Sequence, residues 1–168
     1  MAITRLGGAN AITGTIPTSV APGQGKVLQV VRTYVANSSS AIETSVNTSF
    51  QSSGIQATLT PNKSGNLILV DFNSTMAFKN TSNWGASRMY QKIGSGSFAQ
   101  MTGASSYHVV YSDHNHNGYA PACFGGSYTT TNTDTLIFEP YIISSNTNSF
   151  KLVHQNASYS LTLTEVEQ

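Results

Sequence analysis

The chain reads as an all-β protein, an antiparallel sandwich of two sheets, and three observations predict this. About ten short runs, dense in β-branched and aromatic residues, follow one another between clusters of Ser, Asn, Gly and Thr. Within these runs apolar and polar residues alternate: Ile55, Ala57 and Leu59 fall on one face and Gln56, Thr58 and Thr60 on the other, while Leu161 and Leu163 alternate with Thr162 and Thr164. No stretch of similar length carries apolar residues at helical spacing. Many short strands at regular intervals favour Greek-key or jelly-roll connections. An immunoglobulin-like sandwich fits less well. It would commonly pack a buried Trp on an inter-sheet disulfide, whereas Cys123 is the sole cysteine and Trp84 falls in the turn-like stretch Asn80-Thr-Ser-Asn-Trp-Gly85.

Taken in order, the chain opens with a segment that suits no self-contained fold. In residues 1–22, small and β-branched residues are interrupted by Gly7, Gly8 and Gly14 and stopped by Pro17, which disfavours both a helix and a long strand. The segment reads as an attachment peptide, with Ile3, Arg5, Leu6, Ile12, Ile16 and Pro17 as the residues expected to dock into a partner. It lacks the unbroken apolar run of a secretory signal, so it is expected to stay on the mature protein. The joint Ala21-Pro22-Gly23-Gln24-Gly25 follows, and a single head domain is expected over 26–168. Strands are predicted over 26–36, 46–50, 55–60, 66–78, 87–93, 107–111, 121–129, 135–143, 150–154 and 159–166.

Composition narrows the function classes. Charged residues make up 9% of the 168, with a formal net charge of +1, against a usual share of about 25%. A neutral polar surface without basic runs lacks the electrostatic footprint of a nucleic-acid binder. The longest apolar runs, such as 66–70, fall far short of the roughly 20 residues that span a bilayer, so no membrane insertion is expected. A surface this poor in charge tolerates packing against copies of itself. Cys123 cannot form an intramolecular disulfide and is expected to be a small buried hydrophobe.

Enzymatic chemistry has little to rest on. The carboxylates Glu43, Asp71, Asp113, Asp134, Glu139, Glu165 and Glu167 are scattered without paired spacing, and no nucleophile elbow, phosphate loop or zinc-protease helix occurs. Asp71, in the middle of a predicted strand, is expected to pair with Arg88 or Lys92 on a neighbouring one. Asp113-His114-Asn115-His116-Asn117-Gly118 has a ligand-like look and keeps more than one reading. As a loop tip, it needs only the Asn-Gly turn. If extended, His114 and His116 point the same way, and pairs from three chains could enclose a metal ion on a three-fold axis. An EF-hand reading fails because Phe124 stands where the closing Glu belongs. No other cofactor is expected.

Recognition is better supported than catalysis. Asn83 and Trp84, with Tyr107, Tyr111 and Tyr119, supply the aromatic faces and amide groups that bind sugars. The same aromatics could instead close the ends of the sandwich or pack between protomers.

The opening Met1-Ala-Ile-Thr-Arg-Leu-Gly-Gly-Ala-Asn-Ala-Ile-Thr-Gly-Thr-Ile-Pro17, followed by Gly25-Lys-Val-Leu-Gln-Val-Val31, Gln56-Ala-Thr-Leu-Thr-Pro61 and the closing Leu161-Thr-Leu-Thr-Glu165, resembles fibre-like or knob-like virion proteins of marine, cyanophage-like tailed bacteriophages. The segment Thr60-Pro61-Asn-Lys-Ser-Gly65-Asn-Leu-Ile-Leu also looks like the turn and strand of tumour-necrosis-factor-like trimeric jelly rolls. The resemblance implies a non-enzymatic homotrimer on the particle exterior, held through its N-terminus by other virion proteins of tail or capsid, with outer loops able to touch host surface glycans. A capsid decoration or head-fibre protein without a receptor role, and a secreted bacterial lectin-like adhesin, are the alternatives. Long fibre shafts with repeats or heptads are missing here.

Overall fold

The computed structural model describes residues 25–44, 49–79, 83–103, 108–112, 118–144 and 150–168. The expected anchoring peptide, with Ile3, Arg5, Leu6, Ile12, Ile16 and Pro17, lies outside the described residues, as do Tyr107, His114 and His116. In chain order the strands are β1 (Val27–Val35), β2 (Ile42–Thr44), β3 (Gln51–Ser52), β4 (Ala57–Leu59), β5 (Leu67–Lys79), β6 (Asn83–Ile93), β7 (Ala99–Gln100), β8 (His108–Ser112), β9 (Gly118–Thr129), β10 (Leu136–Ser144), β11 (Phe150–Val153) and β12 (Tyr159–Val166). All their pairings are antiparallel.

Several of these strands are two halves of one course. β3 and β4 follow one another along the same edge of β10, β7 and β8 along the same edge of β6, and β12 and β11 along the same edge of β5. β1 and β2 continue that course outside β12 and β11. Counted this way, one sheet runs β1/β2, β11/β12, β5, β9, and the other runs β3/β4, β10, β6, β7/β8. The first course pairs with the last, the second with the second-last, the third with the third-last, and the middle two with each other. That is a long antiparallel hairpin rolled around one core, which is the jelly roll.

The core follows from strand parity. Phe72, Met89, Phe138, Phe150, Leu161 and Ile68 are fully buried between the sheets, and burying each such side chain contributes roughly 1.5–3 kcal/mol. Ile55, Ala57 and Leu59 are each 2% exposed, as their alternation predicts. Gly85 sits where the sheets approach closely: a Cβ there would stand 2.2 Å from Phe150 Cγ. The turn after Pro61 needs Gly65 at φ +91, a left-handed conformation. It is closed by hydrogen bonds from Gly65 N to Thr130 O and from Thr130 N to Asn66 O.

Two expectations about elements change. The strand expected over 46–50 is not present at 49–50, where the chain turns into β3. β6 begins at Asn83, so Asn83 and Trp84 belong to a strand rather than to a turn. Pairing with β8, opposite Ser112 and Tyr111, extends the ladder to them. No helix among the described residues is long and apolar enough to cross a membrane.

Candidate functional site

Pleating turns alternate residues of β6 outward. Ser87, Met89 and Gln91 are buried on the core side, so Trp84, Ala86, Arg88, Tyr90 and Lys92 form a row on the outer face of their sheet. β10 adds Ile137, Tyr141 and Ile143 to the same face, with Tyr141 opposite Arg88 and Ile137 opposite Lys92.

On this face aromatic rings form a continuous string. Tyr90 and Tyr141 stack with centroids 4.0 Å apart and planes 17° from parallel. Phe98, just before β7, tilts against Tyr141 at 5.8 Å, and Phe50, just before β3, tilts against Tyr90 at 6.2 Å. The Arg88 guanidinium lies 5.0 Å over the Phe50 ring, and its Nη1 donates to Gln100 Oε1 at 2.5 Å. All five of these side chains are half-buried, so the cluster is open on its outer side. Burial pushes the Tyr141 hydroxyl above its ordinary pKa, with the Glu139 carboxylate and Tyr90 adding to the shift. Tyr141 is thus held as a neutral donor and acceptor well past neutral pH.

The negative charge beneath this face is covered. Glu139 is fully buried, and its carboxylate accepts from the Ser52 hydroxyl, from Gly54 N at 2.8 Å and from Gln56 Nε2 at 2.8 Å. This ties residues 52–56 to β10.

The other sheet presents a flatter outer face. Val27, Val30, Tyr34 and Leu69 are exposed there at 54%, 58%, 54% and 43%. A shallow depression of about 490 Å³ beside them is lined by residues including Arg32, Tyr34, Asn73, Cys123 and Tyr159. Arg32 lies 4.8 Å over the Tyr34 ring.

Several expected roles change here. Cys123 is exposed, because Ala122 and Phe124 take the inward positions of β9. Asp71 does not pair with Arg88 or Lys92, which belong to the other sheet. It is exposed on the outer face of β5 and accepts from Asn73 Nδ2 at 2.6 Å. Trp84 is 38% exposed at the far end of the row that carries Tyr90. Asn83 and Tyr111 lie on the adjoining strands β6 and β8, while Tyr119 lies on β9 in the opposite sheet, paired with Phe78. The fold therefore brings Asn83, Trp84 and Tyr111 together on two paired strands, with Trp84 directly opposite Tyr111, and leaves Tyr119 on a strand of the other sheet. The cluster of Phe50, Tyr90, Phe98 and Tyr141 was missed by sequence reasoning. Outward parity of Arg88, Tyr90 and Lys92 was legible within 87–93, but their meeting with Phe50 and Phe98 depends on sheet order.

Among the described residues, no group of three or more His, Cys, Asp or Glu side chains could hold a metal ion. Glu165, also fully buried, is saturated by amides: Asn62 N and Asn66 Nδ2 donate to Oε1 at 2.8 and 2.6 Å, and Gln29 Nε2 and Asn62 Nδ2 to Oε2 at 2.6 and 2.8 Å. Both buried carboxylates are thereby committed to holding loops.

No protein-family model and no curated protein sequence matches the chain. Among solved structures, the VP2 subviral particle of infectious bursal disease virus is similar over 82% of this chain and 33% of that chain, at 12% identity and a TM-score of 0.45. The Gx strain of the same virus is similar over the same shares at 9% identity and a TM-score of 0.40. The chain spans about a third of the length of these proteins. The jelly-roll assignment rests on strand order and register.

Proposed function

We propose that this protein is a non-enzymatic structural protein of a virus particle. In this reading, residues 1–22 attach it to a tail or capsid partner, and residues 26–168 form a head that assembles as a homotrimer on the particle exterior. Its outward surface contacts host surface glycans. One observation carries the reading: among the described residues, four of the five large exposed hydrophobics, Val27, Val30, Tyr34 and Leu69, lie on one outer sheet face. An outer face with several exposed apolar side chains on so weakly charged a domain suits permanent packing against other protein. The commitment of Glu139 and Glu165 to structural hydrogen bonds agrees with a binding role rather than hydrolysis.

The experiment compares docking of the full chain and a variant lacking residues 1–20 to particles stripped of this protein. Loss of docking with the head still folded supports attachment through the terminus. Equal docking assigns attachment to the sandwich and overturns the anchoring role. Position on the particle then separates the two particle roles: a tail-end location favours host contact, and many copies over the shell favour decoration.

A further inference from the structure

We infer that copies of this chain meet through the outer face of β1, β12 and β5, with Arg32 of one copy paired to Asp71 of the next. This deepens the homotrimer proposed above and rests on that reading: it names the contact and the direction of the symmetry axis.

The face is built in rows. Register across β12 sets Val30, Thr164 and Leu69 in one row, Arg32, Thr162 and Asp71 in the next, and Tyr34, Ser160 and Asn73 in a third. In each row a short Ser or Thr of β12 lies between a longer side chain on β1 and one on β5. Thr162 and Thr164 are half-buried and Ser160 is buried, whereas Val30, Arg32, Tyr34, Leu69 and Asp71 are exposed, so the flanks stand above the middle. Beyond β5 the paired positions on β9 are Ser127, Gly125 and Cys123, and no bulky residue crowds that side.

The two ends of each row match in kind. Val30 and Leu69 are both aliphatic, Arg32 and Asp71 carry opposite charges, and the Tyr34 hydroxyl can donate to the Asn73 amide oxygen. Within one chain the charged ends do not meet. Their backbones stand about 10 Å apart, two strand spacings. The Arg32 guanidinium lies over the Tyr34 ring, and Asp71 accepts from Asn73 through one oxygen. Among the described residues neither charge has an ion-pair partner.

A second copy turned about an axis parallel to β12 supplies what each row lacks. Such a rotation keeps the height along the strands and exchanges the two flanks. Val30 then meets Leu69, Arg32 meets Asp71 and Tyr34 meets Asn73, all in register. An axis across the strands would instead set β1 on β1 and β5 on β5, bringing like charges to the same strip. A foreign protein would need a complement to all three rows, whereas a copy already carries it. An anionic glycan or nucleic acid would find Asp71 beside Arg32.

The test is native mass measurement on the full chain, with circular dichroism and thermal unfolding to show that each variant is folded. Arg32→Asp and Asp71→Arg each put like charges at the contact, and each is expected to weaken assembly about tenfold or more. The double variant restores opposite charges and is expected to assemble as the parent does. Because the two residues do not pair within a chain, its recovery reports a contact between chains. Lys63→Glu, a reversal in the distant turn after Pro61, is expected to leave assembly unchanged. Should a reversed charge fail to fold, Arg32→Gln and Asp71→Asn give the same cycle, and together they should cost no more than either alone.

Equimolar mixing of the two single reversals reads the closure. Around a ring of three, two neighbours must carry the same substitution, so mixing should not restore full assembly. A pair restored by mixing would support the contact and overturn the trimer. Single variants that assemble as the parent does, or a folded double variant that stays apart, would overturn the contact and leave the trimer to another surface. Equal weakening by Lys63→Glu would reduce the effect to diffuse charge and overturn the contact as well. A parent that is monomeric at high concentration would overturn both.

Discussion

Glu165 shows how a single buried charge is made tolerable without a cation. Desolvation favours its neutral form, but hydrogen bonds from Asn66, Gln29 and Asn62 outweigh that cost and hold its pKa below the ordinary carboxylate value. The folded state therefore binds this proton more weakly than the unfolded chain. The stability it lends is fully present above the unfolded value near 4.5 and is lost as pH falls through the lowered folded value. Glu165→Gln replaces one acceptor oxygen with an amide that faces other amide donors, and should cost about 1–3 kcal/mol at neutral pH. Urea unfolding of both proteins across the acid range checks this: the parent should lose more stability on acidification than the variant. Parallel curves would show that Glu165 is not the group responsible. The four amide donors belong to Gln29 of β1, Asn62 in the turn after Pro61 and Asn66 just before β5. Their convergence on a residue near the C-terminus has no trace in local sequence.

At the scale of elements, the gap between β3 and β4 is the instructive case. Pro140 lies in the middle of β10, where a missing backbone N–H would weaken a continuous ladder. Its carbonyl accepts from Ser53 N at 3.3 Å, so in an antiparallel strand its nitrogen faces the same side, where the ladder to β3 and β4 is broken. Glu139 fills that break by accepting from Ser52, Gly54 N and Gln56. Glu139→Ala should release residues 52–56 from the sheet and cost about 1–3 kcal/mol. Amide exchange at Gly54 should accelerate while exchange in β10 and β6 stays slow. Unchanged protection at Gly54 would show that the loop is held by other contacts. Strand periods were legible from the sequence at Ala57–Leu59 and Tyr159–Val166, where alternation is clean. They were not legible at Gln51–Ser52 or Ala99–Gln100, where two residues are too few to show a period.

For the whole molecule, the two outer faces differ in character. One carries the ring string with Arg88 and Lys92, and the other carries Val27, Val30, Tyr34 and Leu69 among Thr, Ser and Gly positions. Arg32 and Asp71 stand on that second face opposite the same residue, Thr162, so it holds one charge of each sign in a single row. If copies meet through this face, the double substitution Val30→Lys and Leu69→Lys should place like charges at the contact and leave the core intact. Native mass measurement should then shift from trimer to monomer, with an unchanged β-sheet circular dichroism spectrum. A parent that is monomeric at high concentration would remove the trimer from the proposed function.

What the sequence determined by itself is the material of the sandwich: where most of the longer strands run, that their residues alternate between two faces, where Gly65 and Pro61 turn the chain, and that the chain carries few charges. These are local properties, set by side-chain period, β-propensity and turn chemistry. Tertiary structure decided which strands become neighbours, and with that the outward place of Cys123 and Asp71, the strand setting of Trp84, and the meeting of Phe50, Tyr90, Phe98 and Tyr141. Period-two alternation assigns a residue to one of two faces, but only the packing of one sheet on the other says which face is the core. Only the order of strands within a sheet says which side chains share the outside.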